Sequence, residues 1–342
     1  MEELTSRPHA ALLAAAALFS LALILALGAS SALADNGTFA FQNETHELRV
    51  LYMPGNEENS LHSPGLSVYG TTSPAATAWL DGFWVAYASS STSQLWMYRW
   101  TPLEGSGEFW NTGLGVKAAT SPAIAEDHEA AFMATNGELT LYNKTEGAHA
   151  TGLGMEQSNP AIASNGYEAA AEVAFEAAGS HHLWLYSRAA GGHDTGLGIE
   201  AGTNPSIAAL TNGAYEVAFV GEGTHKLWLY STATGLATNT GYTVTTGTSP
   251  AVSAEYGLSG AWAAAFSGTN QTLSTYTWTG TFFQPPVGVH SATGPGIAQS
   301  VYPGYEVGFE RTNGTLGTYN PELGARSWNY HPSSSPGVGF VP

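Results

Sequence analysis

The chain has 342 residues, 41 of them Gly and none Cys, and carries a net charge of −18 from 27 acidic and 9 basic residues. The missing cysteines exclude disulfide staples and thiolate metal sites. The scarcity of Lys and Arg excludes a phosphate-tracking surface, so neither nucleic acid nor an anionic membrane is an expected partner. Abundant Gly beside 10 Trp, 16 Tyr and 13 Phe suits short strands joined by tight turns.

In chain order, the first feature is apolar. Ala10 to Leu27 is interrupted only by Ser20, and Ala32-Leu33-Ala34 follows before Asp35. An apolar run ending in this A-x-A step predicts a secretory signal over residues 1–34, with a single exported domain over 35–342. The run also approaches the length of a bilayer span, and Glu2 and Glu3 offset Arg7. An uncleaved N-terminal anchor is therefore the alternative, and the only case in which a membrane is a partner. Either way the expected location of the domain is extracellular.

A repeat follows. A small or polar residue before Pro recurs at Pro74, Pro122, Pro160, Pro205, Pro250, Pro295 and Pro336, spaced by about 45 residues. After each Pro comes a short run of small and apolar residues. Pro fits the start of a strand, where its missing N–H does least harm. A second run reads Glu216-Val217-Ala218-Phe219, with copies beginning at Glu129, Glu172 and Glu306 and looser ones at Trp84 and Ala263. A third reads Leu227-Trp228-Leu229-Tyr230, with copies beginning at Leu95, Leu139, Leu183, Leu273 and Leu316. Thr-Gly-Leu-Gly at Thr112, Thr151 and Thr195, and Thr240-Gly241, is expected to open a fourth. Asn136-Gly137 and Asn313-Gly314 mark hairpins between the second and third runs. No run has a helical period.

Four β-type runs per period describe a propeller blade. Six Pro residues each open a full unit. The N-terminal segment lacks the first run and starts at Thr38-Phe39-Ala40-Phe41, while the C-terminus supplies only Ser335-Pro336-Gly337-Val338-Gly339-Phe340. The prediction is an all-β, seven-bladed β-propeller of four-stranded blades, its ring closed by the C-terminal strand joining the N-terminal blade.

The unit Pro-x-Ile-Ala, Tyr-Glu-Val-Ala-Phe, His-Leu-Trp-Leu-Tyr, Thr-Gly-Leu-Gly resembles the PLL-type bacterial seven-bladed propeller lectins and the related tectonin repeats. Glu172 with Leu183-Trp184, and Glu216 with Leu227-Trp228, carry the likeness. The resemblance implies sugar binding in pockets between neighbouring blades, hence glycans as partners. The copies are uneven: the Trp position holds Trp96, Trp184 and Trp228 but Arg49, Thr140, Ser274 and Gly317 elsewhere.

The candidate carbohydrate-binding residues are Trp96, Trp184, Trp228, Glu172, Glu216, Tyr186 and Tyr230. Each has a structural alternative. A Trp on such a strand either packs between blades or stacks on a sugar while its N–H donates to a hydroxyl. A Glu repeated in four blades either accepts from sugar hydroxyls or braces the strand start. His46, His181, His225, His149 and His193 fall at turns and are read as exposed turn residues, since ligands placed one per blade diverge. Asn36, Asn43, Asn143, Asn270 and Asn313 begin Asn-x-Ser/Thr and are read as turn residues too. No cofactor is expected. Nothing points to an enzyme: the repeated Glu are copies of one slot rather than an acid and a nucleophile, and no nucleophile elbow or phosphate loop occurs. A lectin is the first expectation, and a protein-interaction scaffold using one face of the ring the second.

Overall fold

The computed structural model describes residues 37–53, 60–79, 82–101, 105–165, 171–255, 257–300 and 304–340. The predicted signal or anchor over 1–34 lies outside them. The described residues form seven four-stranded antiparallel sheets. Blade 1 pairs Gly37–Gln42 with Leu48–Met53 on one side and with Gly337–Phe340 on the other. Blades 2 to 7 begin at Ala75, Ala123, Ala161, Ser206, Ala251 and Gly296. The C-terminal strand thus supplies the innermost position of blade 1, as the split repeat requires. A propeller closed this way leaves no open junction between first and last blades.

Blade 5 shows the pattern, with strands Ser206–Ala209, Tyr215–Gly221, Lys226–Ser231 and Leu236–Thr243. Side chains alternate across each strand. Val217, Phe219, Trp228 and Tyr230 pack against blade 4, whereas Ala218, Leu227 and Leu229 pack against blade 6. Seven apolar clusters fill the seven clefts in the same way. The second-strand aromatics Phe41, Tyr87, Phe132, Phe175, Phe219, Phe266 and Phe309 are at most 1% exposed. They form one ring-wide layer of the core.

The residue before each Pro has a role that its repetition alone does not reveal. At five of the seven positions its backbone N–H donates to the side chain of the equivalent residue in the next blade. Ser73 bonds Ser121 at 2.8 Å, Ser121 bonds Asn159 at 2.7 Å, Asn159 bonds Asn204 at 2.6 Å and Asn204 bonds Ser249 at 2.9 Å. Gly294 in turn bonds Ser335 at 3.0 Å. This girdle joins the inner strands around the central channel, and Pro directs the chain into each strand. At Gly294 a Cβ would meet the Ser249 carbonyl oxygen at 2.8 Å, so close approach of two backbones explains the Gly.

Thr-Gly-Leu-Gly closes the fourth strand instead of opening it. Strands Ser106–Gly115, Gly147–Gly154 and Gly191–Gly198 end on it. The fourth strand starts in Gly, Ala and polar residues with no periodic signature, which is why the sequence misplaces its boundary. The motif is a bulge. Register shifts there, Gly113, Gly152 and Gly196 take positive φ, and the Thr hydroxyl donates to the third-strand Leu carbonyl. His46, His181 and His225 occupy left-handed positions in the turns between second and third strands, where Gly137 and Gly314 sit in blades 3 and 7.

Candidate functional site

The third-strand Trp position faces the aromatic layer in every blade. It pairs Tyr87 with Trp96, Phe175 with Trp184 and Phe219 with Trp228. In the other blades the same aromatic faces Arg49, Thr140, Ser274 or Gly317. Trp96, Trp184 and Trp228 are half-buried. They lie at the outer ends of the clefts between blades 1 and 2, 3 and 4, and 4 and 5.

Two indole N–H groups are already committed. Trp96 donates to the Thr92 hydroxyl at 3.2 Å and Trp228 to that of Thr224 at 3.3 Å. These side chains offer a ring edge and face rather than a donor. Trp184 differs: its buried Nε1 has no partner, and Ser180 stands in the place of the Thr.

Two further residue types accompany Trp and were not singled out for binding from the sequence. Across from the three Trp, on the fourth strand, stand Asn111, Asp194 and Asn239. Blades 3 and 7 hold Ala150 and Ser327 there. Each Asn or Asp accepts the N–H of the bulge Gly at 2.8–2.9 Å, which fixes its side chain beside the indole at the exposed rim. Gln94, His182 and Lys226, two residues before each Trp, complete the rim. Asn111 bonds Gln94 at 2.7 Å, Asp194 bonds His182 at 3.1 Å, and Lys226 bonds Thr243 at 2.7 Å.

The second type comes from the preceding blade. His62, His149 and His193 pair with Val50, Leu141 and Leu185 on the outermost strands of blades 1, 3 and 4, and so face the clefts that hold Trp. The equivalent residues of blades 2, 5, 6 and 7 are Trp110, Thr238, Phe283 and Arg326. His149 Nε2 lies 2.7 Å from the Tyr186 hydroxyl. The His62 ring sits 4.2 Å from that of Trp100, and burial holds its pKa below the usual value. His149 and His193 therefore lie on strands, not at the turns where the sequence put them. The visible signal was an Asn or Asp before Thr-Gly and, for blades 4 and 5, a His two residues before Thr-Gly in the preceding unit; His62 precedes no Thr-Gly.

Of the remaining predicted residues, Tyr186 shares the cleft of Trp184, and Tyr230 that of Trp228; both are largely buried. The carboxylates are placed differently. Glu172 and Glu216 start their second strands and point to the opposite side of their blades from Trp184 and Trp228. Glu172 shares a hydrogen bond with Ser187, and burial raises its pKa. Glu216 is buried, shares a hydrogen bond with Ser231, and is pushed up to about 7 by desolvation. Glu129, at the same position in blade 3, takes Arg188 of blade 4, with Nε at 2.9 Å; Arg188 also reaches Glu146 at 3.0 Å. The slot braces neighbouring strands through side chains. Asn43, Asn143 and Asn313 accept backbone N–H groups two residues on and act as turn residues.

The central channel widens to cavities of about 420 Å³ and 800 Å³ at its two ends. The first is lined by inner-strand residues with Glu126 and Asn165, the second by the Ser-Pro and Asn-Pro girdle. None of the predicted binding residues lines either. Among the described residues no group of three or more His, Asp or Glu is arranged to hold a metal.

No family model matches the sequence, and no curated protein matches it. Solved structures do match. The Aleuria aurantia lectin bound to Fucα1-6GlcNAc aligns with a TM-score of 0.51 at 12% identity, over 86% of this chain and 91% of that one. A further structure of that fungal lectin, described as six-bladed with a novel mode of fucose recognition, gives 0.50 at 12%, over 86% and 90%. Virginiamycin B lyase from Staphylococcus aureus gives 0.51 at 16%, over 75% and 83%. The chain is a β-propeller with one blade more than the fungal lectin. At these identities the likeness shows the fold, which a lectin and a lyase share.

Proposed function

We propose that the protein is a secreted, multivalent glycan-binding protein that reads carbohydrate at the Trp-bearing clefts of blades 2, 4 and 5. The observation that carries this reading is the linked occurrence of three elements. Where the slot holds Trp, an Asn or Asp stands beside it and a His faces the same cleft from the preceding blade; where the slot holds another residue, the His is absent. A packing device has no need of polar partners at an exposed rim. A sugar does: its C–H face stacks on an indole, while its hydroxyls exchange hydrogen bonds with amide, carboxylate and imidazole groups. Three weak sites on a rigid ring gain avidity on a surface bearing many copies of one glycan. The likeness to a fucose-binding lectin agrees with this use of the fold.

The sites differ in charge. The blade 2 rim is neutral, that of blade 4 carries Asp194 with His182, and that of blade 5 carries Lys226. The deciding experiment is a glycan array followed by calorimetry on the hits. Saturable binding competed by the free monosaccharide, with up to three sites per chain, supports the proposal. A negative result across plant, microbial and animal glycans sinks it and leaves a protein-interaction scaffold as the better reading.

A further inference from the structure

We propose that the face of the ring opposite the Pro girdle, at blades 5 to 7, rests on an uncharged lipid surface. The inference is independent of sugar binding. In each blade the turns between first and second strands, and between third and fourth, lie on one face; the Thr232 N–H bond to the Tyr215 carbonyl ties these two ends of blade 5 together. The girdle and the left-handed His turns lie on the other.

Four of the six exposed large apolar side chains among the described residues sit on turns or strand starts of the first face. They are Leu236 in blade 5 (68% exposed), Leu258 (46%) and Trp278 (51%) in blade 6, and Leu323 in blade 7 (42%). The surrounding segments 210–214, 232–236, 257–261 and 277–281 contain no Asp, Glu, Lys or Arg. The same face of blade 3 carries Glu126, Asp127, Lys144 and Glu146. The blade 7 turn adds one exposed charge, Glu322 beside Leu323. On a chain of net charge −18, a patch so poor in charge and tipped with Leu and Trp is the part that a neutral bilayer tolerates best.

Trp278 suits the water–lipid boundary. Its N–H donates to the buried Glu255 carboxylate, which leaves the ring outward with its polar end satisfied, the arrangement for which Trp is favoured at membrane interfaces.

The chain itself approaches from this side. Gly37 pairs with Met53 and Phe340 at the ends of their strands on that face, in blade 1 next to blade 7. The apolar sequence Ala10 to Leu27 precedes it. Residues 28–36 fully extended reach at most about 30 Å. A chain that keeps this segment in a bilayer brings the face with the apolar tips toward the same lipid, while the Trp clefts open near the opposite face. Apolar tips that enter the headgroup layer add interfacial affinity in proportion to the area they bury.

The test is amide hydrogen exchange of the full chain on phosphatidylcholine vesicles, read by mass spectrometry. Exchange at 232–236, 257–260 and 277–281 is expected to slow about tenfold relative to vesicle-free protein, with the His181 and His225 turns unchanged. The variant Leu236→Ser/Leu258→Ser, which keeps Trp278 and its bond to Glu255, should lose most of that protection while its thermal midpoint stays in place. Absence of vesicle association, equal protection on both faces, protection centred on the charged turns of blade 3, or a variant as protected as the parent would each overturn the proposal.

Discussion

The cleft between blades 3 and 4 and the cleft between blades 6 and 7 share one architecture and differ at their outer ends. Both carry a buried Phe on the second strand, Phe175 or Phe309. Opposite Phe175 stands Trp184, with Asp194 beside it and His149 bonded to Tyr186 of the same cleft. Opposite Phe309 stands Gly317, where a Cβ would meet the Phe309 ring at 2.7 Å, so the ring itself fills that space. The ring closes equally well in both places. The Phe layer is what the fold needs, and the third-strand Trp is an addition that four blades do without.

The largest effect should come from the shared layer. Phe219→Ala removes a fully buried ring between two blades and should cost about 3–5 kcal/mol in denaturant unfolding. A loss below 1 kcal/mol would break the distinction between core layer and rim. Trp184→Ala with Trp228→Ala should reduce the glycan stoichiometry measured by calorimetry from three sites to one. Because both rings are half-buried, stability should fall by less per residue than for Phe219→Ala. Equal stability losses with unchanged binding would return these Trp residues to the core.

The girdle offers a smaller test of what most blades share. Asn204→Ala deprives the Asn159 N–H of its acceptor and should cost about 1–3 kcal/mol. Gly294→Ser should also destabilise the ring, since its Cβ meets backbone rather than a movable side chain. Melting curves check both.

The pH dependence tests the carboxylate slot. Burial raises the pKa of Glu216 to about 7, above its ordinary value near 4.5. Between these values the native state keeps a proton that the unfolded chain releases, so this group's contribution is fully present below about pH 4.5 and is lost as the pH rises toward 7. Burial shifts Glu172, Glu176 and Glu310 in the same direction, and Asp127 to about 6. Glu216→Gln should flatten the decline in stability between pH 5 and 7 and gain about 1–3 kcal/mol at neutral pH. An unchanged pH profile would show that Glu216 is ionised and solvated in the fold. The smallest effect is expected from Tyr186→Phe, which removes the His149 bond at about 1 kcal/mol and should weaken only the blade 4 site.

Blade number, the order of strands and the split closing blade were all readable from spacing, because each blade repeats the same local demands: Pro before the inner strand, small residues on it, an aromatic layer, and alternation on the third strand. The split repeat at Thr38 and Pro336 even told which strand closes the ring. The position of Thr-Gly-Leu-Gly was not readable, since the start of the fourth strand has no pattern of its own and the bulge appears only when the strand is paired. The binding candidates divided in the same way. Trp and Glu were found because they recur within a unit, but the sequence placed them together, and the pleat sends them to opposite sides of the blade. His149 reaches the cleft of Trp184 only because one blade packs on the next, and Asp194 stands beside Trp184 because a register shift turns a carboxylate toward the rim. Local periodicity is written along the chain and determines the blades. A cleft is built from two blades at once, so its chemistry was decided by packing and register.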